Sequence, residues 1–414
     1  MVRTGEHGVE PLIAAVRSGD VEAVEALLEA GADPESADED GTPALCLAVD
    51  TFDLPIVTAL LRSSRVDRPA ADGRTPLLRA IDLGAYDITD ALIRHGACLW
   101  AQDTDGTGAV ALARLWHERD VRVELRRRSG QAGPVECSTV RSESGLTCEE
   151  LSLGGLKVRT GHSAILTELE PKYGLTPSFD ELLSRALAEP DVDHEVWWAT
   201  TYTLQQRNDA ATWAAASALR DRTDPMERYF GAEVLRLINL FDESDDWPHD
   251  APLVDMFLAW VAQEPDPRVA RALTAGLVDA QDLRAEEPLP ALTRHRDALV
   301  RQRAVGGLHR AVEAENPEAL AALVTSTRDE DEAVRRAACR GLACAPLHAE
   351  GISNVIAACL ADGDEGVRVE AAARLAMRQD PRGEEILRAL DASDEESPYH
   401  WLLYDVHRHR ASGR

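Results

Sequence analysis

The stretch Asp331-Glu332-Ala333-Val334-Arg335-Arg336-Ala337-Ala338-Cys339-Arg340-Gly341-Leu342 constrains this chain more than any other, because it recurs. Its skeleton, D-x-x-V-R-x-x-A-x-x-x-L, returns at Asp364, Val367, Arg368, Ala371 and Leu375, and at Asp297, Val300, Arg301, Ala304 and Leu308. Asp266, Val269 and Leu277 keep most of it, and Asp224, Glu227, Arg228 and Leu235 keep another part. Asp193, Val196 and Leu204 begin the series, whose successive steps are 31, 42, 31, 34 and 33 residues. A period in this range predicts stacked helical units, none of which can bury its apolar face alone.

A second period occupies residues 8–128. Gly73-Arg74-Thr75-Pro76-Leu77-Leu78-Arg79-Ala80 is its clearest copy, followed by Leu92-Ile93 and Gly96-Ala97. The first copy has Gly8, Leu12, Ala15, Leu27-Leu28 and Gly31-Ala32; later copies centre on Ala48 and Ala113. The box alanines 15, 48, 80 and 113 are 33, 32 and 33 residues apart. This array resembles the ankyrin repeat, with its T-P-L-H-x-A box on a 33-residue period. The resemblance implies about four helix pairs with finger-like turns between them. Copy two reads Ser64-Arg65 in place of Gly-Ala, and copy four lacks Thr-Pro, as terminal repeats often depart from consensus.

Residues 129–174 break both periods. Gly130, Gly133 and Pro134 open the segment, and Val135, Cys137 and Thr139 alternate with polar residues. Ser142-Glu143-Ser144-Gly145 reads as a turn, so a β-hairpin is expected, closed by Gly154-Gly155. Cys137 and Cys148 would lie diagonally across it, a poor geometry for a disulfide. From 175 to 410 the chain reads as about six helix pairs. Thr176-Pro177, Asn316-Pro317 and Ser397-Pro398 place a capping residue before proline, and Asn208 is expected to cap the helix after it. Over residues 176–390 the pattern resembles the bacterial HEAT-like, armadillo-type repeats. The expected fold is all-α: two α-solenoids joined by a short hairpin-containing connector.

Composition agrees. Apolar residues make up 44% of 414 residues but aromatics only 5%, which suits close-packed helices of Ala, Leu and Val. No apolar run is long enough to span a bilayer, and residues 1–7 lead into no secretory core, so a cytoplasmic protein is expected. Seven scattered cysteines without C-x-x-C spacing suit a reducing compartment. A net charge of −29 argues against nucleic acid and anionic membranes as partners. His407-x-His409 has no cysteine or carboxylate cluster to complete a metal site, and no cofactor motif occurs, so no cofactor is expected.

Candidate binding residues fall into three groups. The ankyrin turns carry an acidic row that includes Asp72, Asp103 and Asp105, with Trp100 beside it. These aspartates would dock a basic partner, or simply serve the turns. Five tryptophans lie between 197 and 260, led by Trp197-Trp198, in a chain poor in aromatics; they are either hot-spot anchors or core. Arginines on successive second helices would form either a stripe for an acidic ligand or structural pairs with the repeat aspartates. Arg301, Arg335 and Arg368 keep phase and fit pairing, while Arg271, Arg303, Arg336 and Arg340 are the freer candidates. The six repeat aspartates themselves are expected to be helix N-caps.

Two functions follow. The first is a non-catalytic adaptor that binds protein partners on its repeat surfaces. The second is an enzyme working in the concave groove, because HEAT-like folds include alkylpurine DNA glycosylases and bilin lyases. Asp193, Trp197 and Trp198 would supply its cleft. Fold analogy alone supports the second.

Overall fold

The computed structural model of the chain describes residues 9–142, 144–349, 351–390 and 397–411. The chain divides into two compact units, Met1–Arg207 and Asn208–Arg414.

Unit 1 begins with four successive helix pairs: α1 (Val9–Ser18) and α2 (Val21–Glu29), α3 (Ala44–Asp50) and α4 (Leu54–Leu61), α5 (Pro76–Asp82) and α6 (Tyr86–Arg94), α7 (Ala109–His117) and α8 (Val121–Ser129). Their starts are written locally. Asp20, Asp53, Thr75 and Asp120 each accept a backbone N–H with the side chain, and Pro76 follows Thr75 at the first helical position. The Gly-Ala steps are stops: Gly31 and Gly96 adopt φ of 90° and 84°, and the N–H of Ala32 and Ala97 donates back to Leu27 and Leu92. Helices α1, α3, α5 and α7 pack in sequence, as do α2, α4 and α6. Ala15, Ala48, Ala80, Leu61 and Leu77 are buried as the box pattern requires; Leu28 is half-buried.

The middle segment forms three antiparallel strands in the order β1 (Glu136–Arg141), β2 (Thr147–Leu153) and β3 (Leu156–Arg159). The expected hairpin is β1–β2, with Cys137 opposite Leu151 and Cys148 opposite Val140; both cysteines are free. Its turn includes Glu143, which lies outside the described residues. The third strand was not expected. Gly154 and Gly155, read as an end, turn the chain into β3 instead, with φ of 63° and 83°. The end of β3 is seated on the α5–α6 turn: the Arg159 N–H donates to Leu83 O at 2.8 Å and the Gly161 N–H to Gly84 O at 3.2 Å. A Cβ on Gly84 would lie 2.1 Å from Arg159 O, so the contact needs glycine there.

Three more helices complete unit 1: α9 (His162–Lys172), α10 (Phe179–Leu187) and α11 (Glu195–Arg207). Helix α9 packs on α7, and α11 packs on α9 and α10. The row of first helices therefore continues past the ankyrin pattern, and the first pair of the second period, 176–207, lies in the same unit as the ankyrin helices. Ser178, not Thr176, caps α10 through the Glu181 N–H.

Unit 2 contains α12 (Ala210–Ala218), α13 (Pro225–Leu240), α14 (Asp250–Val261), α15 (Pro267–Asp279), α16 (Leu289–Leu292), α17 (Ala298–Gly307), α18 (His309–Glu313), α19 (Pro317–Ser326), α20 (Glu332–Ala343), α21 (Ile352–Ala358), α22 (Glu365–Met377), α23 (Glu384–Ala389) and α24 (His400–Ala411). Helices α13, α15, α17, α20 and α22 stack in sequence and carry the repeated motif. Leu308, Leu342 and Leu375 are fully buried beneath them. The long step between Asp224 and Asp266 accommodates the non-helical stretch between α13 and α14. Asp209, not Asn208, caps α12, and Asn316 caps α19 as expected.

Five of the six repeat aspartates are N-caps. Asp224, Asp266, Asp297, Asp331 and Asp364 accept from backbone N–H groups two or three residues on, at 2.8–3.1 Å. Asp193 is not: His194 Nδ1 takes the Val196 N–H, and the Asp193 carboxylate lies 3.7 Å from Arg141. Asp331→Ala is expected to cost about 1 kcal/mol, and Asp331→Asn, which keeps the acceptor, only a few tenths. Urea unfolding of the two variants checks this; equal losses would mean that capping is not what Asp331 contributes.

Candidate functional site

The arginines decide first what unit 2 can offer a ligand. At the fourth position after a cap stand Arg228, Arg301, Arg335 and Arg368. Each aims one terminal nitrogen, Nη1, at the two carbonyls just before its own cap, at 2.9–3.2 Å. In the first three, the other edge of the fork reaches the next motif. Arg228 makes two bonds to Glu264, Arg301 two to Asp329, and Arg335 two to Asp362, all at 2.8–3.0 Å. The acceptor is the residue two before the next cap, and not the cap aspartate that the sequence pointed to. That acid also accepts the backbone N–H of the cap residue, at 2.9–3.0 Å. One motif departs from the scheme: Ala270 holds the fourth position after Asp266, and Arg271 beside it pairs instead with the next cap aspartate itself, Asp297, at 2.6 Å. Planar bidentate pairing of this kind is particular to arginine.

The freer candidates separate accordingly. Arg271 is engaged in that pair, and Arg340 pairs at 3.1 Å with Glu370, which is itself buried and shared with Arg374. Arg303 is exposed. Arg336 is half-buried against Gly366, and its Nε has no hydrogen-bond partner.

In unit 1 the ankyrin turns use most of their acid internally. Asp103 accepts from the N–H groups of Asp105 and Thr107, and Asp72 from Arg74 N–H and the Arg79 guanidinium. Asp105 is exposed. Trp100 is 66% exposed and held edge-on against Tyr173 at 4.4 Å, while the Tyr173 hydroxyl donates to Leu99 O. Among the described residues of unit 1 it is the most exposed large apolar side chain, ahead of Val123. The paired tryptophans have opposite fates. Trp197 is buried and donates its indole N–H to Glu189 O at 3.0 Å. Trp198 is half-buried and stacks on Tyr202 at 5.1 Å.

Trp198 borders a cleft of about 630 Å³ whose lining includes Leu54, Tyr86, Asp90, Leu146 and Glu195. That volume lies within the usual range of ligand pockets, about 300–1,000 Å³. Glu195 is 3% exposed, and its Oε2 has no hydrogen-bond partner. Burial, reinforced by Asp87, pushes its carboxyl up to about 8, despite the opposing charge of Arg159. Burial and Asp90 likewise push the nearby Glu168 up to about 7. Burial, with Glu168, Asp90 and Glu195, holds the Tyr86 phenol well above its ordinary value. Sequence reasoning singled out Trp198 but none of these acids. The available signal was a glutamate lodged between His194 and the apolar Val196-Trp197.

Residues 6–103 match ankyrin repeats, in three copies, and residues 254–343 match HEAT repeats. The chain therefore joins an ankyrin region to a HEAT-like array. Among curated proteins it is similar to the mouse (Mus musculus) RelA-associated inhibitor, 27% identical over 194 residues, which cover 46% of this chain and 21% of that protein. It is also similar to a probable serine/threonine-protein kinase of Dictyostelium discoideum, 32% identical over 109 residues, 25% of this chain and 11% of the relative. The chain thus spans about a fifth or less of the length of these relatives. Among the described residues no helix is long and apolar enough to cross a membrane.

Proposed function

We propose that this chain is a non-catalytic adaptor that holds protein partners on its repeat surfaces. The observation that carries the reading is the presence of two kinds of interaction repeat in one chain. Trp100 is the leading contact of the ankyrin side, an exposed aromatic fixed by an ordered neighbour. Of the four arginines singled out in unit 2, Arg303 and Arg336 are left for a partner. The free cysteines support a cytoplasmic place for it. Of the three residues of the enzyme reading, only Trp198 borders a cleft; Trp197 is core, and Asp193 is an exposed partner of Arg141. The similarity to an inhibitor named for its association with another protein fits the adaptor reading.

The test is capture by the full chain from cytosol, alongside Trp100→Ala. Specific protein partners are expected, at least one lost with Trp100→Ala while thermal unfolding stays unchanged. Duplex DNA should show no binding in the micromolar range, about 10⁻⁴–10⁻⁶ M, where non-specific binders operate. Tight, salt-sensitive DNA binding with no captured protein would remove the reading.

A further inference from the structure

Resting on the adaptor reading, we infer that the cleft beside Tyr86, Asp90, Glu195 and Trp198 receives an arginine side chain of a partner protein. Charge is the first reason. Asp87, Asp90 and Glu168 each have a cation: Arg159 at 3.2 Å, Arg94 at 2.6 Å and Lys172 at 3.7 Å. Glu195 lines the cleft, has no ion-pair partner among the described residues, and its Oε2 accepts no hydrogen bond. A buried polar atom left without a partner is costly, and a donor arriving from the cleft removes that cost.

The groups around Glu195 say what kind of donor suits. Asp87 adds negative charge beside it and Asp90 lines the same cleft, the Tyr86 hydroxyl and Cys148 thiol are neutral, and Arg94 and Arg159 are already paired. His95 stands at the rim. An anion would meet this acid-rich floor unfavourably. A cation would instead let Glu195 ionise, giving up its proton as the pair forms. The half-buried indole of Trp198, braced by Tyr202, offers an apolar wall. A guanidinium matches both features better than an ammonium, since it is planar, weakly hydrated, stacks on aromatic faces and forks onto carboxylates. Leu54 and Leu146 suit the aliphatic stem.

Calorimetric titration of the full chain with acetyl-Leu-Arg-Leu-amide tests this. The peptide should bind, and its citrulline counterpart, which lacks only the charge, should bind at least about tenfold more weakly. In buffers of different ionisation heat, close to one proton should leave per peptide bound at neutral pH. Affinity should rise with pH up to about 8, where free Glu195 is already ionised, and then level off. Glu195→Gln should abolish the proton release and weaken binding by about tenfold, with the same circular dichroism and no loss of thermal stability. Equal binding of the citrulline peptide, no heat with either peptide, or full affinity in Glu195→Gln would overturn the inference. Agmatine binding as tightly as the peptide would overturn the protein source, leaving a small-cation site. Peptide binding without protein capture from cytosol would remove the adaptor reading alone. Capture unaffected by Glu195→Gln, with no peptide binding, would remove the cleft alone.

Discussion

Asp82→Ala is expected to destabilise unit 1 by about 3–5 kcal/mol, the usual result of stripping one partner from a buried charge cluster. Asp82 ends α5 with 6% of its surface exposed. Its carboxylate accepts Arg128 through both oxygens at 2.7 and 2.9 Å, Arg74 at 2.7 Å and the Trp116 indole N–H at 2.8 Å. Arg128 lies over the Trp116 ring at 4.4 Å, and the opposing contact of that indole is His162, stacked at 4.5 Å. One carboxylate thus ties the third ankyrin pair to the fourth, and α9 joins through His162, which stacks on the Trp116 indole and meets the Asp82 backbone carbonyl. Burial would raise its pKa, but Arg128 and Arg74, with the Trp116 N–H, outweigh burial and hold it below the ordinary carboxylate range. Asp82→Asn keeps an acceptor for Trp116 but loses the charge facing two arginines, and should fall between the variant and the native chain. Amide hydrogen exchange over residues 76–172 would show the loss spreading from α5 to α9. A cost below about 1 kcal/mol, within the range of an exposed ion pair, would mean that the cluster is not what joins these helices.

Arg301→Ala is expected to destabilise unit 2 by about 3 kcal/mol, and Arg301→Lys to recover little of it. Arg301 is 7% exposed and makes five bonds in two directions, to Asp329 and Glu330 forward and to His295 O and Arg296 O behind. Alanine leaves a largely buried carboxylate and two carbonyls without their donor. A lysine ammonium cannot reach both sides with the fixed geometry of the fork. The pH dependence has a definite sign. Burial would raise the Asp329 carboxyl, but Arg301 outweighs it; at Asp362 the Arg335 fork dominates, and both acids stay below their ordinary value. A carboxylate whose folded value is depressed stabilises the native state above the unfolded value, about 3.9, and loses that contribution as the pH falls through the folded value. Native and Arg301→Ala chains should therefore converge in stability below about pH 4. Urea midpoints measured from pH 7 downward check it, and a gap that persists in acid would mean that packing, not pairing, is lost.

What was legible in the sequence was whatever repeats. The box alanines and the motif leucines are buried because a period reports a face, and five aspartates cap helices because Asp before a helical run has a local meaning. What was not legible depends on neighbours distant in sequence. Asp193 shares the motif but loses the cap to His194, whose ring nitrogen accepts the Val196 N–H. Strand β3 is four residues long and exists because β2 and the α5–α6 turn receive it. Arg271 looked free because it is one residue out of phase, yet that shift lets it replace Ala270 as the pairing residue. Glu195 was overlooked because glutamate in the first turn of a helix is ordinarily a solvated complement to the dipole. Only the fold shows it sealed beside Asp87 and Cys148.

The arginine fork has a genealogical consequence. The forks of Arg228, Arg301 and Arg335 each join a helix to the acid at the head of the following motif, and the same chemistry is used at Arg301–Asp329 and at Arg335–Asp362. A segment duplicated or excised between equivalent acids, such as Asp329 and Asp362, would bring an arginine of the same kind to an acid of the same kind. Array length can then change in whole steps without inventing a new joint, whereas a cut out of phase would strand a fork on one side and an acid on the other. Lineages carrying this motif are free to lengthen or shorten the array by copying, and to diversify the exposed positions between forks afterwards.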